Sequence, residues 1–192
     1  MDQRELFMTE IITALNNKQT TQLARHVDFP SIDREQISWL IDVAQNETLD
    51  WQALVKGVHF AKVALVLHER VGETKRGSKE RQLLVLAGDL FSTYFFEELA
   101  SLPQTALVTL GRTVQRVNEA KCSIHERNYT STEDYVLLWL TAEFGLVQGL
   151  AAISGQDWLT REGQRIIRKQ AELLDHEAQQ LLLSHLEQMA VA

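Results

Sequence analysis

The stretch Glu80-Arg81-Gln82-Leu83-Leu84-Val85-Leu86-Ala87-Gly88-Asp89-Leu90-Phe91-Ser92-Thr93-Tyr94-Phe95-Phe96-Glu97-Glu98-Leu99-Ala100-Ser101 decides how this chain folds. Its apolar residues do not alternate, as a half-buried strand would require, but recur with helical spacing. On a wheel, Gln82, Asp89, Thr93 and Glu97 form one narrow polar stripe. Leu83, Leu84, Ala87, Leu90, Phe91, Tyr94, Phe95 and Leu99 fill most of the remainder. A helix packed on one side needs an apolar stripe only about 100° wide. The surplus predicts burial on a second side, by the rest of the domain or by a partner.

Helical periodicity continues in both directions. Upstream, Trp51 to about Arg70 reads as a long helix carrying Leu54, Val55, Val58, Ala61, Leu65 and Val66. Val71 to Lys79, with two glycines and mixed charge, reads as the loop that joins it to 80–101. Further back, Asp33 is placed to cap a helix through about Ala44, with Gln36 completing a capping box. Residues 2–16 form a first helix, a turn falls at Phe29-Pro30, and Asn46 to Asp50 is a polar connector. Downstream, Pro103 opens a helix to about Asn128. Ser131 and Asp134 cap another from Thr132 to about Ile153, with Tyr135 to Leu140 an unbroken apolar run. Gly155 ends it, and one or two amphipathic helices fill Asp157 to Met189. No repeat or internal linker is evident. The expectation is an all-α, single-domain bundle of seven or eight helices over 1–192.

Composition narrows the function classes. A chain of 192 residues buries about 70% of its unfolded surface, so it folds without a disulfide or metal staple. The lone Cys122 excludes a disulfide framework and a Cys-rich zinc site, and reads as a small buried hydrophobe. Acidic residues outnumber basic ones 26 to 19. The first 50 residues carry more acids than bases, which disfavours a DNA-binding helix-turn-helix there and nucleic acid as a partner. The N-terminus lacks the pattern of a signal peptide, and no uninterrupted apolar run approaches the ~18 residues of a membrane span. A cytoplasmic location with no membrane span is expected.

Catalytic patterns are thin. There is no glycine-rich phosphate loop, nucleophile elbow or His-Glu-x-x-His. The six histidines stand singly, without the i,i+3 or i,i+4 pairing of helical metal sites. Lys75, Arg76, Lys79 and Arg81 could meet a phosphate, Arg76 foremost, although a solvated loop edge explains them better.

One ordered set of segments points to a family. Leu67-His68-Glu69-Arg70-Val71-Gly72-Glu73, then Lys75-Arg76-Gly77, then Leu86-Ala87-Gly88-Asp89 resembles the trans-prenyl diphosphate synthases. There a helix ends in His-Asp-Asp-x-x-Asp, a basic loop follows, and the next helix carries Leu-Ala-Gly-Asp. The family's aspartates hold magnesium against an allylic diphosphate, since a hard cation favours clustered carboxylate oxygens. Here the three positions are Glu69, Arg70 and Glu73, a degenerate motif whose central cation opposes magnesium. No two aspartates are adjacent anywhere, so the second Asp-rich motif is missing as well.

The phrases Arg81 to Ser92 and Val117-Asn118-Glu119-Ala120-Lys121 resemble the small, non-catalytic subunits of heteromeric prenyltransferases, component 1 of bacterial heptaprenyl diphosphate synthase among them. The resemblance implies a truncated isoprenoid-synthase fold, with no catalytic residue and no metal site in this chain. It implies a larger catalytic partner that holds magnesium and binds farnesyl and isopentenyl diphosphate, the heterodimer making the heptaprenyl side chain of menaquinone. It also implies that Gly88 allows a close crossing and that Leu90, Phe91, Tyr94 and Phe95 form the partner interface or a product-tunnel wall. The alternatives are an all-α ligand-sensing or adaptor protein, or a stand-alone metal enzyme using His68, Glu69, Glu73 and Glu119.

Overall fold

A computed structural model describes residues 3–19, 22–45 and 48–191, with eight α-helices and no strand among them. Part of the connector read at Asn46 to Asp50, and Asp2 of the first helix, lie outside the described residues. The chain divides into two compact units, 1–108 and 109–192.

Unit 1 contains α1 (Gln3–Gln19), a short 3-10 turn at Gln22–Arg25, α2 (Arg34–Ala44), α3 (Trp51–Glu73), α4 (Lys79–Leu99) and the start of α5 (Gln104–His125). The caps explain where these helices begin. The Asp33 carboxylate accepts from the Glu35 N–H, Asp50 from Ala53 and the Ser78 hydroxyl from Arg81. Such a cap satisfies an otherwise orphaned donor and contributes about 1 kcal/mol. The capping box expected at Gln36 does not form, because its Oε1 accepts instead from Lys62 Nζ of α3 at 2.6 Å.

The α3–α4 pair is the spine of this unit. A five-residue loop, 74–78, turns the chain, with Gly77 at φ +77° where a side chain would be strained. The two helices then run antiparallel. Gly57 meets Leu99 at one end, His68 meets Gly88 at the other, and Lys56 pairs with Glu98 at 2.6 Å. Phe29, Phe60, Phe91 and Tyr94 pack ring against ring, with centroids 5.2 to 5.8 Å apart. Offset and edge-to-face ring pairs of this kind add about 1 kcal/mol each beyond burial.

Unit 2 holds the rest of α5 with α6 (Thr132–Ser154), α7 (Arg161–Ala171) and α8 (His176–Val191). On α5 the buried residues Leu110, Thr113, Val117 and Ala120 follow the 3- and 4-residue spacing of one face. That face lies close to α6 because Gly149 stands opposite Thr113 and Gly145 opposite Val117. A Cβ on Gly149 would sit 2.5 Å from Thr113 Oγ1, which the bond to the Thr109 carbonyl holds in place. The Ser131 hydroxyl caps α6 as expected, and the Asp134 carboxylate accepts from the Thr130 N–H and hydroxyl just before the cap. Gly155 closes α6 at φ +70°, a left-handed turn that glycine adopts without strain.

Helix α6 is long and apolar enough to cross a membrane by length and composition, although its apolar residues are not an uninterrupted run. More than half of its most apolar window is buried inside the protein, as in a core helix. Cys122 corrects the sequence expectation. It lies on the exposed side of α5 and is not a core hydrophobe.

Candidate functional site

The degenerate motif lies at the end of α3, which continues to Glu73, three residues past the expected boundary at Arg70. Glu69 and Glu73 are therefore one helical turn apart on the same exposed side, and Arg70 projects about 100° around the axis from Glu69. Its guanidinium donates to the backbone carbonyl of Asp28, just past the 3-10 turn. Arg81, at the start of α4, donates to the Val71 carbonyl at 2.6 Å, and the Thr74 hydroxyl donates to the same oxygen at 2.8 Å. Arg70 and Arg81 thus both donate to backbone carbonyls.

Arg76 and Lys75 are exposed on the loop, while Gly77 supplies the turn. A cleft of about 260 Å³ opens beside Arg70, lined by Ala24 to Asp28, Glu80 and Leu84. Sequence reasoning missed the segment 24–28 as part of this site, because its residues follow no helical or strand period. Only Phe29-Pro30 signalled that the chain turns there.

The Leu-Ala-Gly-Asp phrase divides by face. Ala87 and Gly88 are buried, while Leu86 and Asp89 are exposed. The His68 ring covers Gly88, 2.6 Å from where a Cβ would stand, and His68 Nε2 is 3.7 Å from Asp89 Oδ1. The close crossing expected at Gly88 is therefore made within this chain. The interface assignment is corrected likewise. Phe91 is 0% exposed and Phe95 4%, both inside the fold and closed to a partner. Leu90 and Tyr94 are half-buried, the latter with Lys18 Nζ 4.2 Å above its ring. The apolar surface that α4 does expose is Val85, Leu86 at 57% and Phe96 at 55%.

These donors do not suit a divalent cation. The motif offers carboxylates at two of its three positions and a guanidinium at the third. Among the described residues no three His, Cys, Asp or Glu side chains converge in a way able to hold a metal ion.

A family model described as heptaprenyl diphosphate synthase (HEPPP synthase) subunit 1 matches residues 21–187. The chain belongs to that family. Heptaprenyl diphosphate synthase component 1 of Geobacillus stearothermophilus is 29% identical over 113 residues, which cover 58% of this chain and 51% of that one. The chain thus spans about half the length of this curated member of the family. No solved structure gives a significant match. Both descriptions are of one component of a synthase.

Proposed function

We propose that this chain is the non-catalytic, regulatory subunit of a heterodimeric long-chain prenyl diphosphate synthase. Its partner is a larger chain that carries the Asp-rich motifs, holds magnesium and binds farnesyl and isopentenyl diphosphate. Arg70 carries the reading. Where the resembling synthases place the middle carboxylate of a metal triad, this chain has a guanidinium spent on the Asp28 carbonyl, between Glu69 and Glu73. Like charges a few ångströms apart repel, so a cation at this point raises the cost of binding a second one.

The subunit's contribution is then surface. The exposed part of α4, Val85, Leu86 and Phe96, is the face offered to the catalytic chain. A polyprenyl product is wholly apolar, and a helical wall laid beside it shields it from water as it grows. Contact with the competent conformation of the partner also favours that conformation through differential affinity. In this reading the pair works in the cytoplasm, sets the heptaprenyl length and supplies the side chain of menaquinone.

The test is incorporation of labelled isopentenyl diphosphate onto farnesyl diphosphate in the presence of magnesium. The chain alone should give no product, and the chain mixed with its catalytic partner should give long-chain product that the partner alone does not. Robust turnover by the isolated chain would end the proposal.

A further inference from the structure

The geometry points to Arg70 as the clasp of a strap, residues 22–29, closed over the ends of α3 and α4. The strap has little structure of its own. Beyond its single 3-10 turn, its backbone bonds are local, with the His26 and Val27 N–H groups both returning to the Leu23 carbonyl. Three side-chain contacts seat it. Val27 is buried, the Phe29 ring lies 5.2 Å from Phe91, and the Arg70 guanidinium donates to the Asp28 carbonyl between them. Beneath it lies the cleft bordered by Arg25, His26, Glu80 and Leu84.

A segment with short local bonds and few buried side chains opens at a far lower free energy than the helices it covers. Arg70 ties it to α3 through a charged donor, and such a hydrogen bond is stronger than one between neutral groups. When the clasp releases, Phe29 leaves Phe91, and α4 exposes Leu84 and Phe91, both now buried. The residue that spoils the metal triad therefore has a positive task, holding an apolar part of α4 covered. This inference stands on the contacts of unit 1 and does not depend on the proposed function.

Trypsin reads the strap directly, because Arg25 lies within it and is exposed. Arg70→Met should raise the rate of cleavage after Arg25 by about tenfold, the factor that 1.4 kcal/mol carries. Cleavage after Arg112 and Arg116 on α5 should not change. Arg70→Lys, which keeps a charged donor, should restore most of the protection. An unchanged rate at Arg25 in Arg70→Met would overturn the inference. So would an equal rise at Arg25, Arg112 and Arg116, which would make Arg70 a support of the whole fold.

Discussion

His59 occupies a costly position for an ionisable side chain. It is buried in α3, and its Nε2 has no hydrogen-bond partner. Burial first, and then the charge of Lys62, push its pKa down from 6.5 to about 4. The folded state therefore favours the neutral imidazole, while the unfolded chain protonates near 6.5. The stability contribution is complete above pH 6.5 and is lost as pH falls toward 4, about 3 kcal/mol in all. His59→Leu should flatten that dependence. Urea midpoints of the two proteins at pH 7 and pH 4.5 provide the check, and parallel declines would show that His59 is not the group responsible. The same scale explains Gly149, whose missing Cβ makes room for the stiff, buried Thr113. At Gly88 the crowding neighbour is a half-exposed His68 ring that can turn away.

At the scale of the element, α4 shows what a wheel conveys and what it omits. Leu86 lies about 20° from both Thr93 and Glu97 around the axis, within the stripe defined by polar residues, and Phe96 flanks it. We expect Leu86→Asp and Phe96→Asp each to abolish co-purification with the proposed catalytic partner while the helical circular dichroism is retained. An interface anchor contributes about 2 kcal/mol or more when it is lost. Normal binding by both variants would place the contact elsewhere. Phe91→Asp should unfold the unit, since its ring packs on Phe29, Phe60 and Tyr94. The surplus of apolar residues was legible in the sequence, as were the caps Asp33 and Ser131 and the stop at Gly155, because each depends on neighbours in sequence. The degenerate motif was legible as well. The use of Arg70 was not, since its partner is a backbone carbonyl 42 residues away.

For the molecule as a whole, the family match over residues 21–187 runs through both compact units. The α3–α4 hairpin has one more consequence, for the order of assembly. Its two helices are joined by five residues, so closing that loop costs little chain entropy. Local contacts of this kind form early in folding, whereas α1 must wait for partners distant in sequence. Leu84→Ala, buried near the loop end of the hairpin, should therefore lower the refolding rate and leave the unfolding rate nearly unchanged. Leu15→Ala, at a buried position of α1, should do the reverse. Stopped-flow measurement of both limbs in denaturant separates the two cases, and matching kinetics for the pair would mean that the hairpin holds no lead over α1. If the order holds, a nascent chain has its spine in place before the residues that make α6, its most apolar helix, have left the ribosome.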